Sequence, residues 1–342
     1  MNVPSLSGFL ALSDAKYRLF DLGTQLRPLP DDSLASLDQG LPYPYPYLGY
    51  GWLVIFSWHP QVSEQNSLWF LKLPLDEQGI VSAAAHGELV NRLYRSLQTD
   101  DAQERQRLLT DHLFHFKPDT DKMAALHATA TALLGLPASQ YLPTAEEFLL
   151  SNNDAIDWQS IGLQGIADFV VRASEADLGQ LAGRLTPLAE APFIALTGQL
   201  EHRNLSTSLV SALIAKAQLD PNQIAIENAC LRACSQSTDA QLCQALIDRR
   251  LSAPDVSLEF LLIVLSRYST LLQDTDRALL IMDQLAQLAD ADGFHRLVTH
   301  LVMQPGLAQL MRTLLGHPRL TPALANAIAL LLQTQRSRHV QH

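Results

Sequence analysis

The chain has 342 residues, of which 47% are apolar and 17% are charged, and its formal net charge at pH 7 is −11. It is long enough to bury one large core or two ordinary ones. Broad nucleic-acid binding is disfavoured, because neutralising several phosphates requires clustered Lys and Arg side chains, and most of the acidic excess lies before residue 159.

Nothing in the sequence predicts a membrane protein. No apolar run reaches the length that a bilayer-spanning helix needs. Residues 1–14 also lack the basic start and the apolar centre of a signal peptide. We therefore expect a cytoplasmic protein that binds neither membranes nor nucleic acid.

The N-terminal segment combines a short helix, a strand and a proline-rich connection. Residues 4–13 predict a short helix, and alternation over residues 17–22 predicts a strand that ends at Gly23. Residues 27–50 are rich in Pro, Asp, Ser and Tyr, with PYPYPY at 42–47. Because each residue before a proline favours extended backbone, we expect a polyproline II strap here. We interpret its tyrosines as packing on a sheet, and a docking motif for another protein is the alternative.

Two strongly β-type runs follow each other, WLVIFSW at residues 52–58 and LWFLKL at residues 68–73. Alternation places Trp58 with Trp52 on one face of the first strand, and Trp69 with Leu71 on one face of the second. The polar residues 59–67 predict the loop of an antiparallel hairpin, and Pro74 should end the second strand because it has no N–H. Together with residues 17–22, the hairpin predicts a small antiparallel sheet of about three strands.

After the hairpin the apolar pattern becomes helical. Residues three and four apart predict helices within 82–98, 108–116 and 119–134, and a short one at 143–150. Eleven of the twelve Trp and Tyr residues lie before Val170, and residues 151–154 form a polar break. We therefore divide the chain into a small α+β module, residues 1–150, and an all-α domain, residues 151–342.

The second half predicts a series of short helices joined by tight turns. Candidate helix starts recur near residues 206, 221, 238, 254, 275, 292, 305 and 322. Asp220 before Pro221 and Thr321 before Pro322 each offer a capping oxygen followed by a proline that suits the first helical turn. Residues 260–265, FLLIVL, should form the most enclosed helix. The predicted fold is α+β: a small antiparallel sheet followed by a mostly helical array, either an α-solenoid or a superhelical bundle.

The sequence contains no recognised motif for catalysis or cofactor binding. Nucleotide-binding glycine loops, the Gly-x-Ser-x-Gly motif and the His-Glu-x-x-His motif are absent from it. His112 and His115 would share a helical face, but no further donors accompany them, so we interpret them as ordinary histidines. We expect Cys230, Cys234 and Cys243 to be buried apolar side chains, because no Cys-x-x-Cys pair exists. We expect no cofactor and no metal.

One pair of adjacent carboxylates, Asp76-Glu77, directly follows the second β-type run and leads through Gly79 into the first long helix. Acid–base catalysis needs two carboxylates in different environments, which neighbours in one loop do not supply. We therefore interpret the pair as a turn or cap. As a functional site it would form an acidic lip beside Trp58 and Trp69.

At residues 20–23 (FDLG) and especially 69–79 (WFLKLPLDEQG), the chain resembles a family of uncharacterised gammaproteobacterial proteins of about this length, known as a domain of unknown function. The resemblance covers nearly the whole chain. It implies a bacterial cytosolic protein and no activity, so it supplies no catalytic residues.

Three hypotheses of function follow. The first is a non-enzymatic scaffold whose helical grooves bind an unidentified protein partner. The second is an enzyme or small-ligand-binding protein with a pocket between the sheet and the first helices, lined by Trp58, Trp69, Asp21, Arg27, Asp76 and Glu77. The third is a homo-oligomer formed through the exposed edge of the sheet. We expect the first, because no catalytic set of residues is recognisable.

Overall fold

An antiparallel sheet of four strands lies near the N-terminus of the computed structural model, which describes residues 4–12, 14–151, 156–219, 223–304 and 306–339. In chain order its strands are β1 (Lys16–Asp21), β2 (Arg27–Pro28), β3 (Tyr50–His59) and β4 (Val62–Pro74). They are arranged in the order β2-β1-β3-β4. The predicted small antiparallel sheet is confirmed, and β2 is an additional strand of two residues.

The predicted hairpin forms, but with a tighter turn than expected. Trp52 on β3 pairs with Lys72 on β4. The two strands continue to a turn at residues 60–61, so residues 62–67, predicted as a loop, belong to β4. Polar composition was misleading here, because the backbone pairing of a hairpin does not require apolar side chains. β4 ends at Pro74, as predicted.

The segment predicted as a polyproline strap is more regular than expected. It contains β2 and the helix α2 (Ser33–Asp38). Leu34 and Leu37, three residues apart on α2, are buried in the core, and this burial favours a helix over an extended strap. Further along, Tyr43 is only 1% exposed and lies in the same core. The predicted packing on the sheet is therefore confirmed for this tyrosine.

The N-terminal core lies between one face of the sheet and three helices, α1 (Leu6–Leu10), α2 and α3 (Ala83–Ser96). The helices α1 and α3 occur where the sequence predicted them. Apolar side chains from both layers meet in this core, namely Leu6, Leu10, Leu19, Leu34, Leu37, Leu53, Ile55, Leu71, Leu73, Leu89 and Leu93.

The helix predicted at residues 108–116 ends earlier than expected. Helix α4 spans Ala102–Thr110, and the chain then runs beside the edge strand β4. Lys72 N donates to the Phe114 carbonyl over 2.6 Å, and Phe116 N donates to the Phe70 carbonyl over 3.4 Å. These bonds cover part of the sheet edge, which shortens the edge available for self-association.

The described residues form thirteen further α-helices: α5 (Thr120–Leu133), α6 (Leu142–Leu150), α7 (Gly162–Arg172), α8 (Glu175–Arg184), α9 (Glu190–Leu200), α10 (Thr207–Leu219), α11 (Ile224–Cys234), α12 (Gln244–Leu251), α13 (Leu258–Arg267), α14 (Thr275–Leu288), α15 (Ala291–Met303), α16 (Ala308–Leu315) and α17 (Pro322–His339). They confirm the mostly helical array predicted after the sheet.

The chain forms two compact units. The first consists of Met1–Pro118 and Asp292–His317, so α15 and α16 return to the unit that contains the sheet. The second consists of Asp119–Ala291 and Pro318–His342. These limits differ from the division after residue 150, which remains a prediction about folding domains.

The helices of the second unit pack in two rows. In one row α5 contacts α7, α7 contacts α9, α9 contacts α11 and α11 contacts α13. In the other row α6 contacts α8 and α8 contacts α10. The unit ends with α13 against α14 and α14 against α17. Helices therefore pack mainly on their second neighbours in the sequence, as expected for stacked helical pairs.

The helix-start signals in this unit were informative in part, since the helices expected near residues 238 and 254 begin later, at Gln244 and Leu258. The starts predicted near residues 206, 275 and 322 are confirmed by α10, α14 and α17, and Leu324 N donates to Thr321 Oγ1 over 3.2 Å. The signals at residues 220–221 and 305 lie outside the described residues. The prediction that residues 260–265 are the most enclosed was wrong in one respect, since Leu262 on α13 is 39% exposed. Apolar composition on every side of a helix does not ensure a neighbour on every side.

Candidate functional site

The two tryptophans of the predicted pocket lie on opposite faces of the sheet. Trp69 pairs with Ile55, whose side chain lies in the N-terminal core, and its ring centroid is 5.8 Å from that of Phe9 on α1. Trp58 follows Phe56 by two residues on β3 and stacks on it at 5.2 Å, on the other face. The tryptophans therefore cannot line one pocket.

Asp21 on β1 is paired with Arg27 on β2, but the two side chains make different contacts. Asp21 is 1% exposed; its Oδ1 accepts from Tyr43 Oη over 2.9 Å and its Oδ2 accepts from Gly23 N over 3.2 Å. The guanidinium of Arg27 lies 4.9 Å from the centre of the Tyr45 ring. Asp21 thus joins the end of β1 to the proline-rich segment.

Asp76 forms the predicted turn. Its Oδ1 accepts from Gln78 N over 2.8 Å and from Ile80 N over 3.0 Å, while Glu77 is exposed. A side chain that bonds the backbone two residues ahead is typical of an Asx turn. The six residues of the predicted pocket are therefore dispersed. The tryptophans lie on two sheet faces, Asp21 is a buried hydrogen-bonded carboxylate, Arg27 lies over Tyr45, and Asp76 and Glu77 are in a surface turn.

A cluster of Ser7, Asp38 and His86 was missed by sequence reasoning, because its members come from three separate helices. Ser7 Oγ donates to Asp38 Oδ2 over 2.6 Å, and His86 Nε2 lies 2.8 Å from Asp38 Oδ1. The amides of Leu6 and Ser7 also donate to this carboxylate, at 2.9 Å each. Asp38 therefore satisfies the first amides of α1 and ties α1 to α3. A nucleophilic serine would have to bond the histidine, and this one bonds the carboxylate.

Acid should weaken this cluster. Burial acts to raise the pKa of Asp38, but the hydrogen bonds from His86, Ser7 and Leu6 outweigh it and lower the pKa from 3.8 to about 2. A lowered folded-state pKa contributes stability above the unfolded-state pKa, and this is lost as the pH falls through the folded-state pKa. We expect Asp38→Asn to be less stable than wild type near neutral pH, by a margin that shrinks as the pH falls from about 4 to about 2.

Urea unfolding at successive pH values measures this margin. Asp31→Asn is the control, because the Asp31 side chain is 74% exposed and pairs with an exposed Arg18 side chain at 3.3 Å. A margin for Asp38→Asn that stays constant down to the lowest pH would contradict the role of this carboxylate.

His112 is half-buried, and the three cysteines are fully buried within the fold. His112 follows the end of α4, so it shares no helical face with His115; it contacts the Leu109 carbonyl at 3.1 Å, and burial lowers its pKa. Cys230, Cys234 and Cys243 are buried, as predicted. Among the described residues, no group of three His, Cys, Asp or Glu side chains is placed to hold a metal ion.

A cavity of about 320 Å³ lies in the second unit, between α5, α7 and the end of α9. Its apolar walls are Ala125 on α5 and Ala167, Val170 and Val171 on α7. Its polar walls are Thr129 on α5, Gln199 on α9, and His202 and Arg203 just after α9. We call this space the α9 cavity. The polar run EHR at residues 201–203 was a signal for it, because it interrupts an otherwise apolar helical pattern.

Gln199 is the most enclosed polar side chain of the α9 cavity, at 1% exposure. Its Nε2 donates to the Asp121 carbonyl over 3.2 Å, which determines the orientation of the amide. Its Oε1 is buried and has no hydrogen-bond partner among the described residues. A buried acceptor without a donor is uncommon in native proteins and calls for an explanation.

The guanidinium of Arg203 makes hydrogen bonds and an ion pair within the protein. Its Nη1 donates to the carbonyls of Val170 and Ala173 over 2.6 and 3.0 Å, and its Nη2 lies 3.2 Å from Glu175 Oε1. Arg203 therefore caps the C-terminal end of α7, where carbonyl groups lack helical partners.

Burial shifts the pKa values of both His202 and Glu201. Burial, together with the nearby cations of Arg267 and Lys122, lowers the pKa of His202 to about 3. Burial raises the pKa of Glu201, although Arg267 lies 3.3 Å away and opposes the shift. His202 is therefore neutral at physiological pH and far from the pKa near 7 that suits a general base.

Exposed leucines are frequent on the last three helices of the second unit. They are Leu258 and Leu262 on α13, Leu280 and Leu288 on α14, and Leu330 and Leu332 on α17, each between 37% and 53% exposed. On α14 the two leucines are two turns apart and lie on the same side of the helix.

None of the helices in the described part of the chain is both long and apolar enough to cross a membrane. No curated protein and no solved structure matches this sequence. A family model does match, over residues 1–332, and its description is "Protein of unknown function (DUF3549)". The resemblance seen in the sequence is thereby confirmed, and the chain belongs to the DUF3549 family of proteins of unknown function.

Proposed function

We propose that this protein is a cytoplasmic, non-enzymatic interaction protein whose second unit is an α-solenoid that binds a protein partner. The packing of helices on their second neighbours supports the solenoid, because each helical pair then contacts mainly the adjacent pairs, although α5 also contacts α9. The helices α9, α11 and α13 also begin at evenly spaced positions, Glu190, Ile224 and Leu258.

The observation that carries the proposal is the set of exposed leucines at the end of the array. The terminal helices of a solenoid need a polar outer face to stay soluble. Here α14 and α17 instead expose leucines, two of them, Leu280 and Leu288, on one side of α14. Exposed apolar side chains on one side of a helix provide a surface on which another protein can dock.

The partner's chemistry follows from the charges beside these leucines. Glu259, Asp274, Asp276 and Asp290 are exposed on or next to α13 and α14, and two of them, Glu259 and Asp276, also pair with arginines of the chain. Arg277, by contrast, is largely buried and lies 2.8 Å from Asp248. We propose that the partner presents an amphipathic helix with apolar residues flanked by Lys and Arg, which combines groove binding with charge attraction.

The double variant Leu280→Glu/Leu288→Glu should weaken partner binding at least tenfold. It replaces apolar contact with carboxylates that would have to be desolvated in the interface. The partner is captured by cross-linking in cells, identified by mass spectrometry and purified, and its dissociation constant is measured by calorimetry.

Leu133→Glu is the matched control, because Leu133 is 47% exposed but lies on α5, at the other end of the array. It should leave the affinity unchanged. The proposal is overturned if no captured protein binds saturably after purification, or if the double variant binds as tightly as wild type. Light scattering that shows a dimer lost in the double variant would assign this surface to a second copy of the chain instead.

A further inference from the structure

We infer that two cavities that meet at Trp158, between α6, α7, α8 and α9, bind a proline-rich segment of another protein that carries a Lys or Arg beside its prolines. We call these two cavities together the Trp158 groove. The inference is independent of the partner proposed for α13, α14 and α17, because the groove shares no residue with the exposed leucines there.

The Trp158 groove consists of two spaces that are both partly open to solvent. The first has a volume of about 350 Å³, and Phe148 at the end of α6 and Pro187 after α8 line it. The second has a volume of about 330 Å³, and Gly162 at the start of α7 and Ala195 on α9 line it. The half-buried Trp158 side chain is a wall of both. The two spaces therefore form one groove that an indole ring divides.

The walls of the Trp158 groove suit proline rings. Its first cavity is lined by Phe148, Trp158, Pro187 and Pro192. Proline-rich segments dock in grooves lined by aromatic side chains, because their polyproline II helix is formed before binding and loses little conformational entropy. That helix has three residues per turn, so residues i and i+3 face the same side about 9 Å apart. Two such prolines would enter the two cavities and lie on either side of the indole ring.

Trp158 also offers a hydrogen bond to the ligand. Its indole N–H has no hydrogen-bond partner in the part of the chain that the structure describes. Unlike Gln199 Oε1, the Trp158 Nε1 atom is not fully enclosed, so a bound molecule can reach it. The carbonyl groups of a polyproline II helix have no internal hydrogen bonds, and one of them is the expected acceptor.

The rim of the Trp158 groove is acidic. Glu147, Asp157 and Glu190 are exposed, and each is next in sequence to a residue that lines the first cavity. Arg184 also lines this cavity, but its side chain already takes part in an interaction within the chain. Because the carboxylates outnumber this cation, a Lys or Arg beside the prolines of the ligand would be attracted to the rim.

The PYPYPY segment of the chain itself is not the ligand. Tyr43 in this segment is 1% exposed and lies in the N-terminal core. Pro46 is buried as well, and its carbonyl accepts from Gln304 Nε2 over 2.7 Å. These contacts occupy the segment within the first unit, so we assign the ligand to another protein.

The synthetic peptide acetyl-RPLPPLP-amide is the probe, with acetyl-RALAALA-amide and acetyl-EPLPPLP-amide as comparisons. The first comparison keeps the charge and removes the prolines, and the second keeps the prolines and reverses the charge. Titration calorimetry on the full-length protein at low salt should show saturable binding of the probe. Its affinity should be at least tenfold higher than that of the alanine peptide and at least threefold higher than that of the glutamate peptide. No saturable binding of the probe, or equal affinity for the probe and either comparison, would overturn the inference.

Two variants test the groove itself. Trp158→Phe keeps a ring but removes the N–H, and it should weaken probe binding at least fivefold. Ala195→Phe should fill the second cavity from a half-buried position on α9 and abolish binding. Trp58→Phe is the matched control and should leave the affinity unchanged. Trp58 is also half-buried and its indole N–H also lacks a partner among the described residues, but it lies on β3.

Circular dichroism establishes that each variant is folded. Unchanged probe affinity in folded Trp158→Phe or Ala195→Phe would contradict the inference. Light scattering that shows a dimer of the wild-type protein lost in Ala195→Phe would assign the Trp158 groove to a second copy of the chain, and this result would also overturn the inference.

Discussion

Replacing Glu227 with alanine should lower the free energy of unfolding by about 3–5 kcal/mol, because it removes the buried carboxylate that pairs with Arg250 and leaves that guanidinium to the exposed Asp255 carboxylate, at 3.3 Å. Glu227 on α11 is 1% exposed. Its Oε2 accepts from Arg250 Nη2 over 2.6 Å and from Arg250 Nε over 3.1 Å, and the Arg250 side chain on α12 is 8% exposed. Urea unfolding of the purified variant at neutral pH measures the loss.

The loss of unfolding free energy should depend on how deeply the ion pair is buried, and the presence of a pair alone should not be enough. Arg319 and Asp276 also form a short pair, at 2.6 Å, but their side chains are 61% and 78% exposed. Arg319→Ala should therefore cost less than about 1 kcal/mol. The double variant Glu227→Met/Arg250→Met should cost much less than the sum of the single alanine variants, because it removes both charges together. A cost for Glu227→Ala no larger than that for Arg319→Ala would show that the buried pair is not important.

Replacing Tyr43 with alanine should cost about 3–5 kcal/mol, the range found when a buried aromatic ring is deleted. Tyr43 is 1% exposed, and its ring lies directly against β3, where a Cβ on Gly51 would be only 2.8 Å from Tyr43 Cδ2. Glycine at position 51 is what allows the ring to approach the strand so closely. Thermal and urea unfolding of the variant measure the loss.

Two further substitutions separate the ring from its hydroxyl group. Tyr43→Phe keeps the ring but removes the donor to the buried Asp21 carboxylate, which should cost about 1.5–3 kcal/mol. Burial raises the pKa of Tyr43, and the Asp21 charge adds to this, so the hydroxyl stays protonated and continues to donate. Tyr45→Ala, in the same segment but half-buried, should cost clearly less than Tyr43→Ala. Equal losses for these two alanine variants would contradict a specific role for Tyr43 in the core.

Several features of the fold could be predicted because they depend on neighbouring residues alone. Alternation over residues 52–58 and 68–73 predicted both strands of the hairpin, since successive side chains of a strand point to opposite faces. Spacing of three and four predicted the helical array, and Thr321 before Pro322 predicted the start of α17. In each of these cases the residues that predict the strand or helix belong to it or directly adjoin it.

The six residues of the predicted pocket are not brought together, because their relative positions depend on strand register. Alternation assigned Trp58 and Trp69 to faces of their own strands, but only the pairing of Ile55 with Trp69 decides how those faces correspond. The turn at residues 60–61, in place of the longer predicted loop, sets that register. A slip of one residue would have moved Trp69 to the face of Trp58.

By itself the sequence determined the elements, their order and the apolar side of many of them, because these follow from local backbone preference and periodic burial. The tertiary structure alone decided which elements meet. It joins Ser7, Asp38 and His86, it returns α15 and α16 to the first unit, and it places Gln199 beside α5 and α7. Such contacts bring together residues that are distant in the chain, and they arise because whole helices and strands must pack to bury their apolar sides.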